Sequence, residues 1–384
     1  MGLLSFAAVY ANVVMTPVLA QIGREFGTST GTAGLVVAAY GVPGVLSALV
    51  VGPYSDRFGR KPFLLAGTIL MGACTVIAAL VPSFELLLVS RALAGMGASV
   101  LFPNINAAIG DSFPYLERGR AISTVIGLNT FASIGGIPLA GIVAEATTWR
   151  VSVAMVGLVA LLAALALAVL MPSDRPHGEQ EAARELYARI VRSRSALGAI
   201  ASSLMGALFW FTWVTYVVVY FEHGHSLSQG LASTAALTLG VGVLIGSQIG
   251  GRLGDRVGHR RVVAWSIALS SLVLVALTNI PLPLLAAAAL NLVLSAVIGA
   301  RFATNTAMLT EQVPEARGTM LAMSSSVVSL GIVAGAVVGG LIIDGPGFPA
   351  LGLVCGAVGL LSAAIVVIFV TEETLDLENE PAFR

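Results

Sequence analysis

Long apolar runs separated by short polar turns fill almost the whole chain. They fall at 3–22, 32–52, 62–81, 84–108, 121–144 and 150–171, and, after a polar stretch, at 196–221, 230–250, 262–280, 284–309, 319–343 and 348–370. Each run reaches the ~20 residues that a helix needs to cross the ~30 Å hydrocarbon layer, and only a helix or a closed barrel satisfies its backbone there. The pattern predicts an all-α membrane protein with twelve transmembrane helices in two six-helix bundles. The N-terminal bundle is 1–171, the linker 172–195, the C-terminal bundle 196–370 and the tail 371–384.

Composition sharpens this reading. Hydrophobic residues make up 57% of the chain and charged residues 10%, against ~25% charged in soluble domains. Such a chain cannot cover a water-facing surface of ordinary polarity, so its solvent is lipid. The 43 glycines fit membrane helices, where small residues let backbones approach closely. Twenty basic residues balance twenty acidic ones, which argues against a nucleic-acid partner. Cys74 and Cys355 lie in apolar runs with no second cysteine or histidine at ligand spacing, so neither a disulfide framework nor a metal site is expected. The chain enters an apolar run at Leu3 without a basic leader, so no cleavable signal peptide is expected. The short head is compatible with a start a few residues upstream.

Charge also sets the expected orientation. With the N-terminus cytoplasmic, Arg57, Arg60, Lys61, Arg118, Arg120, Arg175, Arg184, Arg189, Arg192, Arg194, Arg252, Arg256, Arg260, Arg261, Arg317 and Arg384 all fall inside. Only Arg24 and Arg150 fall outside, while Arg91 and Arg301 fall within spans. This is the positive-inside bias. It predicts a multi-pass membrane protein with both termini and the linker cytoplasmic. Glu185–Arg192 is expected to form a short surface helix on the membrane.

The two halves repeat. Gly52-Pro-Tyr-Ser-Asp-Arg-Phe-Gly-Arg-Lys61 follows span 2, and Gly251-Arg-Leu-Gly-Asp-Arg-Val-Gly-His-Arg260 follows span 8. Asp56, Arg57 and Gly59 match Asp255, Arg256 and Gly258 at an offset of 199, and Phe102–Pro114 matches Phe302–Pro314 at an offset of 200. A parallel six-helix repeat implies two bundles about an axis along the membrane normal, with a substrate cavity between them.

The loop from Gly52 to Lys61 resembles the cytoplasmic signature of the major facilitator superfamily, G-x-x-x-D-R-x-G-R-[KR]. Arg91-Ala-Leu-Ala-Gly-Met-Gly-Ala resembles its second signature, R-x-x-x-G-x-G-[AS]. Pro17-Val-Leu, Phe26-Gly-Thr-Ser and the Asp56 loop together are similar to the bacterial twelve-helix drug:proton antiporters. In span 5, Ser133-Ile-Gly-Gly-Ile-Pro-Leu-Ala-Gly-Ile142 keeps Pro138 and Gly141 of the antiporter pattern G-x-x-x-G-P-x-x-G-G, but carries isoleucine at 137 and 142. The resemblance implies that Asp56 docks on the start of span 11 and that Arg60 pairs with Asp111. Gly52, Asp56, Arg57, Gly59, Arg60 and Asp111, with Asp255, Arg256 and Gly258, then form a conformational latch. A solvated turn is the plainer reading of Asp56.

Buried charge is the next signal. Arg91 sits in a span, where a charge costs at least ~2.5–3.5 kcal/mol. One reading pairs it with Glu85 near the span end; the other turns it to a cavity or partner, and the resemblance gives it a part in proton coupling. Arg301 is read either as reaching headgroup level or as lining the cavity. Two cavity arginines would favour an anionic substrate. No Asp or Glu lies deep in a span; the acids nearest the membrane, all near span ends, are Glu85, Asp111, Glu145, Glu222, Glu311 and Asp344. A proton carrier must titrate near ambient pH, which a buried arginine does not; Glu222 and Glu145 are left as coupling candidates.

Phe209, Trp213, Tyr216 and Tyr220 fall on one face of span 7. The stripe is either packing and interfacial belt or cavity wall for apolar or cationic compounds. Tyr10, Asn12, Thr16, Asn104, Asn106, Asn129, Asn291 and Asn305 are polar positions in spans, some lining the cavity and others bonding neighbouring helices. His223 and His225 are read as solvated.

No G-x-S-x-G, H-E-x-x-H, Walker or dinucleotide fingerprint occurs, so neither an enzyme nor an ATP-driven pump is expected. The expectation is a monomeric secondary transporter working by alternating access. It needs no cofactor, and the resemblance implies proton-coupled efflux of drugs or metabolites. Two rivals stand beside it: an organic-anion exporter, exchanger or facilitator using Arg91 and Arg301, and a non-transporting receptor on the same fold.

Overall fold

The computed structural model of the protein describes residues 1–112, 115–171, 183–313 and 316–371, with side chains described there except at 46–54, 56–58, 106–107, 110–112, 115–123, 126 and 183–186. Among the described residues eleven helices are long and apolar enough to cross a membrane. Span 2, Leu35–Phe58, is a twelfth helix of 24 residues. The fold is all-α.

Span 1 runs from Gly2 to Phe26 and is broken by a 3-10 turn at Thr16–Val18. Pro17 accounts for the break, because it has no N–H for the carbonyl of the preceding turn. A short turn, Thr30–Ala33, leads into span 2. Span 3 is Arg60–Ala78, and span 4 is Phe84–Ser99 continued by Leu101–Ser112. Span 5 is Tyr115–Ala146 and span 6 is Trp149–Leu170. A linker helix at Ala183–Arg192 precedes span 7, Arg194–Gly224. Its Ile190 is buried with Ala196 and Met320, so this helix docks on the C-terminal half. Spans 8 to 12 are Gln229–Val257, His259–Asn279, Leu284–Gln312, Arg317–Asp344 and Phe348–Phe369.

Packing reproduces the repeat. Span 2 packs on span 4 and span 3 on span 6 in the first half; span 8 packs on span 10 and span 9 on span 12 in the second. The halves meet where span 2 lies along span 11 and span 5 along span 8, two contacts exchanged by the same repeat. Large apolar side chains such as Leu80, Val169 and Leu285 stand out on the surface, as lipid-facing residues should. Buried Thr68, Thr75 and Ser295 return their hydroxyls to the carbonyl one turn back, which satisfies them within their own helix.

The signature turns confirm the duplication in backbone geometry. Gly59 and Gly258 end spans 2 and 8 with φ of 89° and 96°, a region that side-chain-bearing residues avoid. They mark what is here called the signature end of the bundle.

Candidate functional site

A cavity of about 470 Å³ lies between the halves, within the range of small-molecule sites. Spans 1, 2, 4 and 5 form one wall and spans 7, 8, 10 and 11 the other. The wall residues are related by the repeat: Asn12 and Phe211, Tyr40 and Leu239, Gly41 and Gly240, Gly44 and Val243, Thr130 and Ser329, and Ser133 and Ile332 all line it, each pair 199 apart. Phe102 and Phe302 do so at 200.

The two walls differ chemically. The N-terminal one presents Asn12, Tyr40, Ser99, Asn129, Thr130 and Ser133 beside the apolar Val9, Val13, Phe102 and Ile137. Asn129 has a buried carbonyl oxygen with no hydrogen-bond partner among the described residues. The C-terminal wall presents Trp210, Phe211, Val214, Leu239, Val243, Phe302 and Ile332, with Ser329 as its polar member. Trp210 and Phe302 meet edge to face at 6.1 Å. Among the described residues the wall carries no charged side chain.

Arg91 and Arg301 lie behind the wall and are fully buried. Arg91 donates to the Ala11 carbonyl at 3.0 Å and lies over the Tyr40 ring. It does not pair with Glu85, whose side chain is at the span end. Arg301 donates to the Ser202 carbonyl at 2.8 Å and is packed against Gly206; it does not reach headgroup level. The span 7 stripe is packing. Phe209 and Trp213 are fully buried, Trp213 donates to Asn291 at 2.9 Å, and the Tyr216 hydroxyl donates to the Ala336 carbonyl at 2.7 Å. Tyr10 packs on Gly136, Asn104 donates to the Val100 carbonyl at 2.8 Å, and Asn305 donates to Ser203 at 3.1 Å. Of the polar and aromatic positions singled out from sequence, Asn12 and Asn129 are in the cavity wall.

Sequence reasoning missed Trp210, Phe211 and Val214, which turn from the same helix to the cavity. The stripe drew attention because it is large and regular, yet regularity is what dense packing selects. The offset of 199 was the available signal: Phe211 is the repeat counterpart of Asn12.

At the signature end, Asp255 lies 3.8 Å from His259, which lies 3.4 Å from Glu311. His259 is the repeat counterpart of Arg60, and Glu311 of Asp111. Arg60 itself lies 3.5 Å from the Ser55 hydroxyl. Arg256 is exposed. The side chains of Asp56, Arg57 and Asp111 and the surroundings of Gly52 lie outside the described residues. Glu222 is 4.0 Å from Arg24 in the other half. Glu145 accepts from Ser228 at 3.2 Å and from the Gly230 N–H, again across the halves.

The sequence model of the Major Facilitator Superfamily matches residues 1–247 and 223–384. The chain belongs to the Major Facilitator Superfamily. Among relatives within it, the chain is 29% identical over 173 residues to the chloramphenicol resistance protein CraA of Acinetobacter baumannii, covering 45% of this chain and 42% of CraA. It is 26% identical over 375 residues to the transcription regulatory protein OpdE of Pseudomonas aeruginosa, covering 95% and 91%. The chain spans between 35% and 42% of the length of four other matched curated relatives, CraA included. A bacterial homologue of the human lysosomal transporter Spinster, solved inward-facing and occupied, has the same fold at a TM-score of 0.77 and 17% identity, covering 95% of this chain and 92% of that one. The major facilitator fold accounts for the paired wall residues, because a cavity on the repeat axis is lined by matching positions of both halves.

Proposed function

We propose that this protein is a secondary transporter that moves small, uncharged amphiphilic molecules across a bacterial inner membrane by alternating access. The observation that carries this reading is a cavity that, among the described residues, has no charged side chain, gathers most of its polar side chains on the N-terminal wall and is aromatic and branched apolar on the C-terminal wall. A substrate with one hydrogen-bonding end and one aromatic or branched apolar end satisfies both walls. A carboxylate or phosphate would find no cation there, so Arg91 and Arg301 do not support anion exchange.

The excess of basic residues at the signature end favours a cytoplasmic position for it. Among the described residues the hydrogen bonds between the halves lie at the opposite end, at Gln21 with Gln229, Gly31 with Asp344 and Glu145 with Gly230. On this reading the molecule is closed to the outside. Efflux is the direction that the likeness to a chloramphenicol resistance protein favours, and proton coupling is taken from the family resemblance of the sequence.

Chloramphenicol is a suitable probe, being neutral, aromatic at one end and hydroxylated at the other. Protein in liposomes should carry it down its gradient, and an imposed pH gradient should drive accumulation if protons are coupled. Benzoate should not compete. Saturable carriage of benzoate in preference to neutral compounds would overturn the substrate class. The full-length alignment with OpdE favours a second reading, a ligand-sensing membrane regulator. Binding of the probe without flux under any gradient would select it.

A further inference from the structure

We propose that Glu145 and Asp344 form a crossed pair of latches that hold the outer gate shut, each half's carboxylate seated on the other half. The inference rests on the alternating-access reading and goes beyond it by naming the contact that sets the resting state.

Asp344 ends span 11. Its carboxylate accepts the Gly31 backbone N–H at 2.9 Å and the Ser29 hydroxyl, both in the turn that begins span 2. Glu145 ends span 5. Its carboxylate accepts the Gly230 backbone N–H and, at 3.2 Å, the Ser228 hydroxyl, both in the turn that begins span 8. Glu145 and Asp344 are 199 residues apart, as are Ser29 and Ser228, and Gly31 and Gly230. The same three groups therefore occur twice, once in each direction across the interface.

Each serine serves two roles. Ser29 accepts the Thr32 N–H and Ser228 the Leu231 N–H within their own turns, while both donate outward to the acid. Each glycine permits the approach: a β-carbon at Gly31 would overlap the Gly340 carbonyl and the Asp344 carboxylate, and one at Gly230 would overlap the Glu145 carboxylate. The interface around the pair is closed by Gln21 with Gln229, and by Gln229 with the Pro17 carbonyl.

Hydrogen bonds to an ionised acceptor are about twice as strong as neutral ones. Here they form only while spans 2 and 11, and spans 5 and 8, are in contact at this end. Rocking of one half against the other breaks both together, because the repeat axis relates them. The latches thus weight the equilibrium toward the outward-closed state without touching the cavity, and a substrate must make up the difference when it opens.

The experiment places one cysteine at Ser233, which is fully buried and packed against Gly141 of the other half. The native Cys74 and Cys355 are replaced by alanine. Labelling by a membrane-impermeant maleimide from the outside then reports opening. Glu145→Ala or Asp344→Ala should raise the labelling rate severalfold. The double variant should raise it about tenfold or more, the population change expected when two contacts specific to one state are lost. Glu145→Asp and Asp344→Glu keep the acceptor and should label more slowly than the alanine variants. The latch is overturned if the double variant labels at the wild-type rate, if only one of the two sites responds, or if the conservative exchanges label as fast as alanine. Elution and melting profiles of each purified variant check that it is folded. Labelling needs no substrate. Fast labelling in a protein that carries no flux would keep the latch and remove the transport reading.

Discussion

The guanidinium carbon of Arg91 lies 4.2 Å from the centre of the Tyr40 ring, and Tyr40 is part of the cavity wall. The charge thus stands one ring behind the transport pathway. Its burial is only partly offset, because Nε and Nη1 are buried with no hydrogen-bond partner among the described residues. Placing arginine within a span costs ~2.5–3.5 kcal/mol on insertion scales. A desolvated cation–π contact returns ~2 kcal/mol, and the bond to the Ala11 carbonyl ~1.5–3 kcal/mol.

Arg91→Met should therefore be neutral or stabilising by about 1–2 kcal/mol, because the burial cost, the unpaired N–H groups and the contacts vanish together. Transport should fall strongly, because the Tyr40 ring loses its support and span 1 loses its tie at Ala11. Thermal unfolding in detergent beside flux in liposomes separates the two effects. Normal flux in the methionine variant would make Arg91 a packing residue.

Asn291 is the repeat counterpart of Arg91 and holds a buried chain of bonds, accepting from Trp213 and donating to Thr238 at 2.7 Å. Asn291→Ala leaves the indole N–H without its acceptor, which costs ~1–3 kcal/mol. Adding Trp213→Phe removes that orphan donor, so the double variant should be less destabilised than the two single effects added. Strict additivity in unfolding measurements would refute the linkage.

How much of this was legible in sequence follows from what each signal measures. Hydropathy found the spans because lipid demands unbroken apolar length, and the Asp56 and Asp255 loops exposed the duplication because Gly59 and Gly258 need positive φ. The cavity wall was harder. Asn12 and Asn129 were visible as polar residues in apolar helices, but Trp210 and Phe211 look like any other membrane aromatics. Arg301 misled because an intramembrane charge normally faces a cavity, whereas here it is buried among helices and donates to the Ser202 carbonyl. Glu145 was read as a coupling acid from its position alone; its partner turn in the other half emerges only from the three-dimensional packing.

Close helix contacts give a clean contrast among glycines. A β-carbon at Gly246 would overlap the Ala296 carbonyl of span 10, whereas one at Gly251 would meet nothing within 4 Å. Gly246→Ala should destabilise by ~1–3 kcal/mol, the usual effect of overpacking. Gly251→Ala, one turn further on and unobstructed, should be neutral or stabilising by up to ~1 kcal/mol, since alanine suits a helix better. Melting temperatures in one detergent test both, and equal shifts would mean that spans 8 and 10 do not pack as closely as described.

The difference between the walls yields the sharpest test of the substrate reading. Phe211→Asn removes an aromatic contact from the apolar wall, and Asn12→Phe removes a hydrogen-bonding group from the polar one. Each single change should weaken chloramphenicol binding by ~1–3 kcal/mol, or about tenfold or more, the scale of one lost pocket contact. The exchange of both residues restores the composition of the cavity and reverses its polarity at one repeat-related pair. A molecule bound across the repeat axis can turn end for end, so the double variant should bind more tightly than either single variant. Quenching of Trp210, which lies in the wall, reports binding if the fluorescence of the other tryptophans is subtracted with a Trp210→Phe control. Losses that simply add in the double variant would mean that the ligand does not read the two walls as a pair.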